Sequence, residues 1–206
     1  ENLAFCDIYR LKKVYIPSSV TKLGSFSMLE NIEVSKNNAM YSSIDGVLFN
    51  REGTEILIYP QKKTDKIYKI PSTTKVINIM AFYNNMKLEE LHIPESVVSF
   101  SDIMESYAFT WSKKLKRIDV SDNNKVYMRV EGVGVNKREK TLVCYPRQKR
   151  KRKYIIPEYV KKIEGHAFSE NRYIREITIT SDAINIYPIA FEGCLVKIKK
   201  SYEQED

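Results

Sequence analysis

The chain has 206 residues, 43% of them apolar, and carries 34 Lys and Arg against 26 Asp and Glu, a formal net charge of +8. These totals suit one large folded domain or a repeat array rather than a disordered chain. No apolar run is long enough to cross a bilayer as a helix, and the three widely spaced cysteines, Cys6, Cys144 and Cys194, make neither a disulfide framework nor a zinc site.

Ala4-Phe5 opens the readable pattern. "LKKVYIP", from Leu11, then alternates apolar and polar residues as a short strand with one buried face does. It ends at Ile16, because Pro17 cannot donate a ladder hydrogen bond. "LENIEVS", from Leu29, repeats the strand and ends at Val34, with Ser25-Phe26 standing where Ala-Phe is expected. The chain then changes form. "GVLFN" and "EILIYP" flank a Gly-containing turn and predict a β-hairpin, followed by "KIYKIP", a strand ending at Ile70. Ala81-Phe82 leads into "LEELHIP", which ends at Ile93, and Ala108-Phe109 into "LKRIDVS", which ends at Val120. A second hairpin, "GVGVN" with "TLVCYP", precedes "KYIIP" and its terminal Ile156. Ala167-Phe168 leads "IREITIT" to Ile179. Ala190-Phe191 begins a shortened last unit that decays into a polar tail, 201–206.

A shift of 86 residues superposes the two hairpin units without a gap. Over the 38 positions from Val34 and from Val120, 14 are identical, among them Asn37/Asn123, Asn38/Asn124, Gly46/Gly132 and Tyr59/Tyr145. A duplication is the economical reading. The expected architecture is a mainly β repeat solenoid over residues 1–200, with a parallel sheet of about seven short strands and hairpin units near 34–71 and 120–157. Cys144 stands where the first copy has Ile58, so it reads as a buried apolar substitute. The first Ala-Phe has no coil before it, so either the array is trimmed there or more protein precedes it.

"AFYNNMKLEELHIPESV" and "NNAMYSSIDGVLFNREGTEILIYP" resemble the BspA-like leucine-rich repeats of bacterial surface proteins. The resemblance covers nearly the whole chain. It implies a right-handed leucine-rich-repeat coil, an extracellular or cell-surface location, and adhesion to host matrix proteins or other cells. Fold-level analogy alone licenses no ligand.

The residues offer little chemistry. His92 and His166 fill slots that vary between units and read as structural. No catalytic residue, metal ligand or cofactor is indicated, since no nucleophile motif, zincin helix, phosphate loop or dinucleotide fingerprint is present. Two surfaces remain as candidates. The outward positions of the strands form one extended face, with Tyr15, Glu33, His92, Arg117, Asp119 and Thr178 as candidate protein-binding residues. The second candidate is the basic run between the second hairpin and the next strand, Arg147, Lys149, Arg150, Lys151, Arg152 and Lys153. From 137 to 162 there are eleven basic residues against two acidic, a balance of +9 that exceeds the charge of the whole chain. That charge is therefore local. It reads either as a solvated loop or as a dock for a polyanion such as a sulfated glycan, with nucleic acid the poorest fit because no nucleic-acid module surrounds it. The leading expectation is a monomeric, non-enzymatic module that binds a protein or glycan. The alternatives are polyanion binding through 147–153 and a passive spacer.

Overall fold

The computed structural model describes residues 10–24, 28–100 and 105–202. Ala4-Phe5, Cys6, Ser25-Phe26 and the end of the polar tail lie outside these residues. The described chain is mainly β. Its short strands are β1 (Lys13–Ile16), β2 (Asn31–Val34), β3 (Tyr41–Ile44), β4 (Val47–Asn50), β5 (Glu55–Ile58), β6 (Ile67–Lys69), β7 (Val76–Ile77), β8 (Glu90–Ile93) and β9 (Ser99–Phe100). A 3-10 turn, Glu105–Phe109, precedes β10 (Arg117–Val120), β11 (Tyr127–Val130), β12 (Val133–Asn136), β13 (Thr141–Cys144) and β14 (Lys153–Ile155). The last four are β15 (Lys162–Ile163), β16 (Glu176–Ile179), β17 (Asn185–Ile186) and β18 (Lys197–Lys200).

All seven expected strands form, and β18 adds an eighth where the sequence reads as decaying. They do not make one sheet. Parallel pairing groups them as β1-β2, β6-β8-β10 and β14-β16-β18. The breaks fall at the hairpin units, for a local reason. Asp45-Gly46 and Glu131-Gly132 are two-residue turns with positive φ at both positions (50° and 74°, 53° and 79°), the geometry whose twist matches a hairpin. Each turn lies against the preceding strand: Ile32 N donates to the Gly46 carbonyl at 2.9 Å, and Ile118 N to the Gly132 carbonyl at 3.1 Å. The turn thus takes the ladder position that a further parallel strand would fill.

Each insertion also has one more strand than the sequence shows. β3 pairs antiparallel with β4 and β4 with β5, and β11, β12 and β13 repeat the meander. The last strand of each meander then joins a second parallel set, β5-β7-β9 and β13-β15-β17. All of β12 and β13 is buried, so the insertion is part of the solenoid wall.

The core is an aromatic and aliphatic stack. Phe82 N donates to the Ala108 carbonyl and Phe168 N to the Ala190 carbonyl, so these two Ala-Phe steps are each hydrogen-bonded to the next. Tyr59 and Tyr145 make the same bond, to the carbonyls of Ala81 and Ala167, and so occupy the Phe position in the hairpin units. Tyr145 stacks on Phe168 at 4.8 Å, Tyr59 lies 5.3 Å from Phe82, and Phe82 stacks on Phe109 at 6.1 Å. Four buried asparagines knit the loops. Asn124 donates to the carbonyls of Pro94 and Val97 in the previous coil and accepts from Val126 N and Tyr127 N. Asn38 and Asn171 also make four such bonds, and Asn85 makes three. A buried amide with all its polar atoms satisfied locks each coil to its neighbour.

Candidate functional site

Period-two alternation sends one set of strand residues inward and the other into solvent. Leu91, Ile118 and Ile177 are buried, while the residues beside them face out. The registers set the outward rows. Tyr15 lies opposite Glu33, Lys69 opposite His92 and His92 opposite Asp119. Arg117 lies opposite Glu90, and Thr178 lies between Ile155 and Lys199. The candidate face residues therefore do share one side of the strands, in three groups. Tyr15 and Glu33 sit on the first sheet, His92, Arg117 and Asp119 on the second, and Thr178 on the third.

The middle group is a charge network. The His92 ring lies between two carboxylates, with Nε2 2.7 Å from Glu90 and Nδ1 3.3 Å from Asp119. Arg117 approaches Asp119 at 3.5 Å, and Arg129 from β11 hydrogen-bonds the same carboxylate. Partial burial works to raise the Asp119 carboxyl. The hydrogen bond and charge of Arg129, with Arg117 and His92, outweigh it and hold the group below the ordinary aspartate value. Donor atoms of Glu90, His92 and Asp119 all lie within 4.8 Å of one another, a juxtaposition that the linear sequence hides. Arg117 and Arg129 already engage these carboxylates, so a cation would have to displace them. Beside this network an open cleft of about 340 Å³ is lined by Lys69, His92, Asp119, Asp122 and Arg129.

Three large apolar side chains stand exposed on the same face: Tyr15 at 61%, Ile67 at 55% and Ile155 at 63%. Only Tyr15 is legible as a candidate from sequence. Ile67 belongs to the three-residue strand β6, whose inward residue is Tyr68. Its outward direction follows only once that register is known.

The basic run separates into different roles. Arg147 pairs with Glu170 at 2.9 Å, Lys151 with Glu131 at 2.6 Å and Lys153 with Glu176 at 3.6 Å. Lys149 donates to the Glu131 carbonyl and lies 6.0 Å from the Tyr145 ring. Arg150 covers the Tyr173 ring at 5.4 Å. Arg152 is exposed, and Lys153 is already the first residue of β14. The hydrogen bond from Lys151 holds the Glu131 carboxyl below its usual range. In the first copy, the equivalents of Lys149 and Lys151 are Lys63 and Asp65, which pair with each other at 2.8 Å. The divergence between copies is thus one of charge: an internal ion pair in one, two cations turned on the hairpin residue Glu131 in the other, Lys151 on its carboxylate and Lys149 on its backbone carbonyl.

Cys144 is buried and its thiol is pushed up to about 12 by burial, as an apolar substitute should be. His166 lies 2.9 Å from Glu192 and meets the Tyr107 ring edge-on at 5.0 Å. Among the described residues no helix is long and apolar enough to cross a membrane.

Stacked short coils, a parallel strand face, buried asparagines and an Ala-Phe stack define a leucine-rich-repeat solenoid. The sequence matches the BspA type leucine rich repeat region in six copies, over residues 1–69, 59–129 and 144–203. The chain belongs to that family. Solved structures agree. The pneumococcal vaccine antigen PcpA is similar at 26% identity and a TM-score of 0.59, over 93% of this chain and 45% of that one. A leucine rich cell surface protein from Faecalibacterium prausnitzii A2-165 aligns at 24% identity and a TM-score of 0.62, over 93% and 48%. A leucine-rich repeat protein from Eubacterium ventriosum ATCC 27560 aligns at 22% and 0.59, over 93% and 50%. The chain thus spans about half the length of these structures. No curated protein sequence matches it.

Proposed function

We propose that the chain is a non-enzymatic binding module of a bacterial surface or secreted protein, and that it grips a host or cell-surface protein through its parallel-strand face. The exposure of Tyr15, Ile67 and Ile155 on that face carries the reading. Large apolar side chains held out on hydrogen-bonded strands lose little entropy on binding, and aromatic and Arg anchors dominate protein interfaces. The Arg117–Asp119–Arg129 network beside them supplies charge that selects a partner more than it adds affinity. PcpA is described as a vaccine antigen and the Faecalibacterium protein as a cell surface protein, which supports an extracellular or surface location here. The test is binding to a panel of purified extracellular-matrix proteins, wild type against a Tyr15→Ser/Ile67→Ser/Ile155→Ser variant. A loss of about tenfold or more in affinity with unchanged melting temperature supports the face. Equal binding by the variant removes it.

A second reading is polyanion binding through 147–153. The local balance of +9 from 137 to 162 favours it, since only part of that charge is consumed by the ion pairs described above.

A further inference from the structure

At the exit of the second hairpin, three coils meet around one cleft of about 360 Å³. Lys113 and Lys114 come from the coil before, Arg147 and Gln148 from the hairpin exit, and Arg172 and Tyr173 from the coil after. Gln148 ties them together. Its side-chain Nε2 donates to the Lys113 carbonyl at 2.9 Å, and its Oε1 accepts from the Tyr173 hydroxyl at 3.0 Å. Four cations line the cleft against one carboxylate. That carboxylate, Glu170, pairs with Arg147 at 2.9 Å and reaches Arg172 only at 3.9 Å. Lys113 and Lys114 are exposed and have no ion pair among the described residues, and Arg147 Nη1 is buried without a hydrogen-bond partner among them. A concave site with uncompensated positive charge focuses the field toward an anion with several acceptor oxygens.

The chain's single Trp, Trp111, stands two residues before Lys113. Trp111 lines a second, small crevice, and Arg147 is common to that crevice and the cleft. Its backbone is left-handed, φ 63°, at the position two residues after Phe109. The matching residues of other coils are Asn84, Glu170 and Gly193, which share the positive φ. An aromatic residue there is strained where Gly or Asn is comfortable, and 48% of this one remains exposed, so core packing does not account for it.

We propose that the cleft binds a sulfated sugar, with a sulfate ester held by Lys113, Lys114, Arg147 and Arg172 and the sugar ring laid on Trp111. The proposal rests on the polyanion reading and moves its working part from the tip of the basic run to the cleft beside it. Guanidinium and ammonium donors suit a sulfate or phosphate group alike. The indole decides between sources: it offers one flat apolar face for a ring, whereas nucleic-acid strands are held by a series of stacking aromatics.

The experiment is calorimetric titration with a heparin octasaccharide and, separately, a polyphosphate of matched charge, at physiological salt. The cleft variant is Lys113→Gln/Lys114→Gln/Arg172→Gln. The charge-matched control is Lys151→Gln/Arg152→Gln/Lys153→Gln. The cleft variant should lose about tenfold or more in heparin affinity and the control less than about threefold. Trp111→Asn should weaken heparin but not polyphosphate, while its melting temperature holds or rises because the strained position is relieved. A control variant that loses as much as the cleft variant overturns the cleft and leaves the general polyanion reading standing. Heparin binding untouched by Trp111→Asn overturns the sugar contact. Absence of heparin binding by wild type defeats both the cleft and the polyanion reading.

Discussion

At the residue scale, identical side chains do different jobs. Asn123 and Asn124 recur as a pair in the first copy, at Asn37 and Asn38, and nothing in the pair says which is structural. The fold decides: Asn124 is fully buried with four hydrogen bonds, while Asn123 is exposed. Asn124→Ala should therefore cost about 2–4 kcal/mol, since it removes four bonds and strands two carbonyls and two amides. Asn123→Ala should stay within about 0.5 kcal/mol of wild type. Urea unfolding curves for the two variants check the contrast. The same scale limits what sequence shows of the sites. Glu90, His92 and Asp119 lie on two strands, 27 residues apart at His92 and Asp119, and only the parallel register makes them neighbours. Trp111 stands out in sequence only as the single Trp, because its left-handed backbone and its exposure belong to the fold.

At the element scale, the two-stranded hairpins were legible and the first strand of each meander, β3 and β11, was not. The Gly-containing turn between "GVLFN" and "EILIYP" signals itself through its chemistry. "YSSI", the first meander strand, carries too little apolar content for period-two reading to find. Tyr59 and Tyr145 were hidden as members of the Phe stack because each is followed by Pro and lacks the preceding Ala. If Tyr145 fills a Phe slot, Tyr145→Phe should change stability by less than about 1 kcal/mol, whereas Phe168→Ala should cost about 3–5 kcal/mol through the cavity it leaves. Thermal melts of both variants distinguish them.

The strand-face ion pairs make a pH prediction. Asp119 and Glu131 both titrate below their ordinary values in the folded chain. A depressed carboxyl stabilises the fold above the unfolded value, about 4, and that contribution is lost as pH falls through the folded value. Stability should be flat near neutrality and fall below about pH 4. Arg129→Gln should flatten that acid limb, because the Asp119 carboxyl then moves back toward its unfolded value. Urea midpoints measured from pH 7 to 3 give the slope. An unchanged acid limb in the variant would mean that Asp119 contributes nothing to it.

At the scale of the whole molecule, the two copies interlock. The largest core cluster runs from Val47 in the first meander to Val143 and Cys144 in the second. Coils stabilised by their neighbours should unfold together when no joint is weak. Trp111, near that joint, should report the same urea midpoint by fluorescence as far-UV circular dichroism reports for the chain. Two separated midpoints would show that the copies fold independently.

The central functional claim concerns which surface meets a partner. Hydroxyl-radical footprinting on the complex with a matrix protein that binds tests it most directly. Tyr15, Ile67, His92 and Ile155 should lose reactivity on binding, while Met40 and Leu195, both exposed and outside the strands, keep theirs. Protection at Met40 or Leu195 with the strand-face residues unchanged would contradict the account.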